Sequence, residues 1–303
     1  MKSLKGVALA IISSATFGMI ALFSIPLMKE GMSIQSILFY RFFFSALAMG
    51  GICLYRKRSL KISMRQLRDI ILLGLLYAST SLFLIQSYQW IPSGVATTIH
   101  FLYPVLVSIL MVVFFKEKGT VHLFGTAILS LLGVVCLSWS DGGSVQMIGI
   151  VTASLTVVTY ALYIVGVNQT RTGKEMEAES LTFYVLLVGS VFFMMYALTT
   201  TTIQPIISFP ALGRLLALAL LSTVISGLGL VLAIKYIGST ITSILGSMEP
   251  MVAVLIGIFY FSEVFTVYTM TGVALIILAV YLVIRQSAKP RKSIKGNLGN
   301  TLG

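Results

Sequence analysis

Ten runs of about twenty apolar residues, separated by short polar or Gly/Pro breaks, leave this chain few folds to choose from. A run of that length, coiled as a helix, spans the hydrocarbon layer and satisfies its own backbone hydrogen bonds, which lipid cannot do. The runs cover residues 4–26, 34–54, 69–88, 95–115, 120–139, 147–167, 180–198, 212–234, 239–260 and 266–285. With 57% hydrophobic and 10% charged residues and a mean hydropathy of +1.00, the chain has too little polar surface to cover a water-soluble globule. The expectation is an all-α integral membrane protein with ten transmembrane helices. The first run follows Lys2 and Lys5, as a signal peptide would, but it has no small-x-small cleavage site. Its Thr16, Phe17 and Gly18 also pair with Thr159, Tyr160 and Ala161 of the sixth run, so it counts as a retained span.

Basic residues set the orientation, because Lys and Arg stay on the cytoplasmic side. With both termini cytoplasmic, 18 of the 21 basic residues fall in inner segments, Lys29 and Arg214 fall outside, and Arg41 lies within a span. The net charge of +12 is therefore a topological signal directed at anionic lipid, and no nucleic-acid partner is expected.

The chain also repeats itself. Shifted by 146, Ile91, Ser93, Pro104, Phe115, Glu117, Thr120 and Val121 fall on Ile237, Ser239, Pro250, Phe261, Glu263, Thr266 and Val267, without a gap. A proline followed thirteen residues later by a glutamate, in register in both copies, points to an internal duplication. An odd number of crossings separates Pro104 from Pro250, so the halves run in opposite directions. Such 5+5 inverted-topology repeats are a hallmark of secondary transporters. The expected division is 1–143 for the first half, 144–286 for the second and 287–303 for a disordered cytoplasmic tail.

The stretches from Leu102 to Glu117 and from Met248 to Glu263, with Arg41 in Phe-Tyr-Arg-Phe-Phe, resemble the EamA-type repeats of the drug/metabolite transporter superfamily over residues 4–285. The resemblance implies a bundle that exports small metabolites such as amino acids. It also implies a central cavity lined by the first, third, fourth, sixth, eighth and ninth helices.

Glu249 is the first candidate for function. A charged group at mid-membrane costs about 2.5–3.5 kcal/mol on insertion scales, so it is rarely idle. Substrate contact, proton coupling and a static hydrogen bond to a neighbouring helix are all open to it. His100 can titrate near neutral pH and is the second proton-coupling candidate. Pro104 and Pro250 free the carbonyls of His100 and Gly246, giving either a hinge, a ligand or a fixed kink. Ser93, Ala96, Thr97, His100 and Tyr103 share one stripe, and Ser239, Thr242, Ser243, Gly246 and Glu249 another, suited to a cavity wall or to helix packing. Thr16, Phe17, Tyr77, Ser81, Tyr160, Tyr163, Thr223 and Ser226 are further cavity candidates.

Arg41 can bind a carboxylate, pair with Glu249, or snorkel outward to anchor its helix, and the last, a structural or vestibule role, is favoured. Glu117 and Glu263 read as caps for the helices that follow them. The cluster of Glu175, Glu177 and Glu179 reads as a solvated loop. Cys53 and Cys136 show neither disulfide nor metal spacing. No His-Glu-x-x-His, Gly-x-Ser-x-Gly, paired intramembrane aspartate or P-loop is present, so no metal, cofactor, intramembrane enzyme or direct ATP drive is expected. A monomeric, plasma (inner) membrane exporter of a small solute, with proton coupling open, is the expectation, and a passive facilitator is its alternative.

Overall fold

The computed structural model of the chain describes residues 2–91, 93–116, 121–138, 146–200, 202–261 and 267–288, and these are helical with no strand. In order the helices are α1 (Lys2–Phe17), α2 (Ile20–Lys29), α3 (Ile34–Tyr55), α4 (Met64–Ser87), α5 (Ser93–His100), α6 (Tyr103–Phe115), α7 (Val121–Ser138) and α8 (Met147–Gln169). They continue with α9 (Arg171–Glu175), α10 (Ala178–Thr200), α11 (Phe209–Ala219), a π-helical turn (Leu220–Ile225), α12 (Ser226–Ile237), α13 (Ser239–Leu245), α14 (Met248–Phe261) and α15 (Val267–Ala288). Glu117, Glu263 and residues 289–303 lie outside the described residues.

Six stretches among the described residues are long and apolar enough to cross a membrane: Leu4–Lys29, Ile34–Tyr55, Met64–Ser87, Met147–Gln169, Ala178–Thr200 and Phe209–Ile237. Three of the expected unbroken spans are interrupted. Gly18 and Met19 separate α1 from α2, Phe101 and Leu102 separate α5 from α6, and Gly246 and Ser247 separate α13 from α14. The two prolines explain two of the breaks. Pro104 and Pro250 stand in the first turn of α6 and of α14, where a missing N–H costs no hydrogen bond. They therefore start new helices instead of bending continuous ones.

Side chains mark the ends. Ser63 and Gln66 form a reciprocal capping box at α4, and Ser33 and Ser208 cap α3 and α11. Gly238, at φ 84°, turns the chain from α12 into α13 in a conformation that a side chain would strain.

The helices pair across the sequence: α3 on α10, α4 on α8, α1 on α12 and α7 on α15. Small residues let them approach, as where Gly74 faces Val188 and Gly189 faces the Phe42 ring. Leucines, valines and methionines such as Leu47, Leu54, Val151 and Met195 face outward. The enclosed interior instead holds many hydroxyls and Arg41, an arrangement suited to lipid as the surrounding solvent.

Polar contacts tie both ends of the bundle. At one end Glu179 Oε1 accepts from Arg56 Nη1 and Arg58 Nη2, each at 3.0 Å, and Arg58 Nη1 reaches Glu177 at 2.6 Å. Ser180 and Tyr184 add bonds to the carbonyls of Ser59 and Leu60. The acidic cluster is thus not simply solvated, since the Glu179 side chain is only 7% exposed. At the other end Gln204 accepts from Ser33 N at 2.6 Å and donates its own N–H to Ser36 Oγ at 3.0 Å, while Tyr40 Oη donates to the Gln204 carbonyl. Arg214 pairs there with Glu30.

Candidate functional site

The broken helices meet inside the bundle, where α5 packs on α14, α6 on α13, and α1 on both α13 and α14. This junction brings together residues from both sequence stripes. His100 Nε2 lies 3.7 Å from Glu249 Oε1, longer than a hydrogen bond, with both side chains buried. His100 Nδ1 is 2.8 Å from Thr156 Oγ1, and the Thr156 hydroxyl donates to the Ala153 carbonyl. With its only hydrogen so used, Thr156 Oγ1 accepts from His100, which assigns the proton of the neutral ring to Nδ1. The free Nε2 lone pair then faces the Glu249 carboxyl group.

Backbone approach fixes the carboxyl group's position. A Cβ built on Gly18 would sit 2.4 Å from the Glu249 carbonyl oxygen. The Gly246 carbonyl, which Pro250 cannot bond for want of an N–H, accepts instead from Glu249 N and from Ser14 Oγ, each at 2.9 Å. The Tyr103 hydroxyl rests against Gly246 so closely that any side chain there would collide with it. Gly18→Ala must therefore move backbone, with an expected loss of about 1–3 kcal/mol that thermal unfolding in detergent would register as a lower Tm. An unchanged Tm would mean that α1 and α14 are not in this register.

Aromatic rings surround the pair and run away from it. Ring centroids are 6.1 Å apart for Phe17 and His100, 5.7 Å for Phe17 and Tyr160, 5.2 Å for His100 and Tyr103, and 4.7 Å for Tyr103 and Tyr160. Tyr160 leads to Tyr163 at 6.2 Å, Tyr163 to Tyr77 at 5.0 Å, and Tyr77 to Phe42 at 5.7 Å. Beyond Phe42 lies the Arg41 guanidinium, 5.7 Å from that ring. Ser81 is buried one helical turn from Tyr77.

Not every candidate joins this centre. The Thr16 hydroxyl is spent on its own helix, donating to Ile12 and Ser13 carbonyls. Ser226 instead meets α1, its carbonyl accepting from Ser13. Arg41 does not snorkel or face a vestibule: it is 0% exposed, and its Nε donates to Thr223 Oγ1 at 2.7 Å. Among the described residues Glu249, one of the partners open to it, forms no ion pair with it. Sequence reasoning missed Ser14, Gly18 and Thr156. Only Thr156 carried a signal, lying one turn from Tyr160 on the same helix face.

A separate cavity of about 630 Å³ opens where α4 and α9 begin, lined by Arg65, Arg68, Asp69, Arg171, Thr172 and Glu175 among others. Within it Arg171 pairs with Glu175, and the Thr172 hydroxyl donates to Asp69. It lies several turns of α4 from Tyr77.

Comparison with known proteins supplies the context for the junction. The model of the EamA-like transporter family matches residues 4–139 and again residues 147–285. A curated relative from Archaeoglobus fulgidus, described as an uncharacterized transporter, is 26% identical over 232 residues, covering 75% of this chain and 80% of its own. A solved crystal structure shares the fold with a TM-score of 0.77 at 16% identity, over 94% of this chain and 97% of that one.

Proposed function

Because the chain belongs to the EamA-like transporter family, we propose that it is a secondary transporter of the plasma membrane, exporting a small amino-acid-like metabolite in exchange for protons by alternating access. The enclosed His100–Glu249 couple, set where the broken helices meet, carries this proposal. A carboxylic acid facing an imidazole lone pair can give up and regain a proton within the protein. Helix breaks beside both groups supply flexible points at which α14 can swing relative to α5. One side of the membrane then loads the proton and the other releases it.

Ten spans in two inverted halves, with both termini cytoplasmic, are part of the same proposal. Supporting it, packing pairs recur when the halves are exchanged. Gly6 faces Ile237 as Gly149 faces Ile91, and α1 packs on α12 as α4 packs on α8. Thr159, the counterpart of Thr16, likewise back-bonds to its own helix. Phe17 and Tyr160, counterparts by sequence, stack on each other, as residues beside a two-fold axis would.

The test has two stages. Mass spectrometry of growth medium from producing and vector-only cells identifies the solute, which is expected to be enriched outside by the wild type. Proteoliposomes are then given that solute and an imposed pH gradient. Accumulation driven by the proton gradient is the expected result. Flux indifferent to that gradient would leave a facilitator in place of the coupled transporter.

A further inference from the structure

Among the described residues Arg41 is one of the largest fully buried side chains, and the His100–Glu249 couple makes no use of it. Among the described residues, its Nη1 and Nη2 have no hydrogen-bond partner, nor do the buried Tyr77 Oη and Ser81 Oγ. Resting on the transporter proposal, we propose that Arg41, Tyr77 and Ser81 form an anion site that takes the carboxylate of the exported solute.

The π-helical turn prepares this site. It lets the Thr223 hydroxyl donate to the carbonyl of Leu218, five residues back, so that its oxygen is free to accept from Arg41 Nε. That bond fixes the guanidinium plane and leaves Nη1 and Nη2 without partners, while the Phe42 ring lies beside the charge. The remaining Nη1–Nη2 edge, with one forward N–H from each nitrogen, matches the two oxygens of a carboxylate. Tyr77 and Ser81, at i and i+4, present two more donors from one face of α4. The Tyr77 hydroxyl lies beside the guanidinium, placed to meet the same ligand oxygens. No Asp or Glu among the described residues is at ion-pair distance from Arg41, and an enclosed cation without a counter-charge is costly, which favours an anion that arrives with the solute. The aromatic path from Arg41 to His100 and Glu249 would lie along the solute's apolar body.

The full chain, purified in detergent, tests this through thermal unfolding. The probes are the free L-amino acids against their carboxamides, with benzoate against benzamide, at matched pH and ionic strength. At least one free acid is expected to raise the Tm in a saturable way while its amide does not. Arg41→Gln should weaken that acid by about tenfold or more, and Arg41→Lys by less. Should Arg41→Gln fail to fold, Ser81→Ala and Tyr77→Phe keep the charge and are expected to weaken the acid severalfold. The site is overturned if no free acid stabilises the wild type, if acid and amide act equally, or if the folded variants bind the acid undiminished. Flux separates the two proposals. Solute movement without acid selectivity removes the anion site alone, whereas acid-selective binding by a protein that moves nothing removes the transporter alone.

Discussion

Glu249→Gln protein, reconstituted in liposomes with the solute identified from the medium, should lose accumulation driven by a pH gradient while still exchanging solute for solute. The amide keeps the shape of the carboxyl group and can still donate toward His100 Nε2, so the junction between α5 and α14 stays packed. It cannot release a proton. In one-for-one exchange, a gradient of one pH unit supports a solute gradient of about tenfold, because each 1.4 kcal/mol is a factor of ten. The variant should instead settle at equal concentrations on both sides. Folded, inserted variant that still builds the wild-type gradient would remove Glu249 from the coupling.

The second large effect is expected at the end of the bundle that the proposed topology assigns to the cytoplasm. Glu179 alone receives both Arg56 and Arg58, joining the segment after α3 to the start of α10. Cys53, one turn before that segment, is fully buried and offers a built-in reporter. In a Cys136→Ser background, Glu179→Ala should release Arg56, leave Arg58 only its bond to Glu177, and raise the open population at this end. The arginines are partly exposed, so solvent weakens the tie, and maleimide labelling of Cys53 is expected to quicken severalfold. Labelling at the wild-type rate would show that this contact does not hold the end closed. Glu30 and Arg214 at the opposite end serve as a control, since their loss should leave Cys53 protected.

The sequence made the helical membrane class and much of the junction readable for a definite reason. Apolar length is local information, and the two prolines recur in register, so Pro104, Pro250, His100 and Glu249 could be singled out residue by residue. Their partners could not. Ser14 reaches the Gly246 carbonyl across 232 positions, and Thr156 meets His100 across 56, through packing that no local pattern encodes. Arg41 shows the same limit. Counting turns placed it near the outer surface, but the π-helical turn brings Thr223 to it, and nothing in Leu220–Ile225 announces the extra residue in that turn. Unbroken spans were expected at Phe101 and Ser247 because a proline read in isolation suggests a kink, whereas the chain uses each as a fresh start.

The pairing of α1 with α12 has a consequence for how the protein is made. Ser13 waits for the carbonyl of Ser226, 213 residues later. At synthesis rates of about 5–20 residues per second, α1 spends roughly 10–40 s in the membrane before its partner is translated. Through that interval its Ser13 and Ser14 hydroxyls have only their own helix or lipid to face. Assembly of this bundle is thus a late event, completed only when the second half has been inserted, and truncation anywhere before α12 would leave α1 without its packing surface.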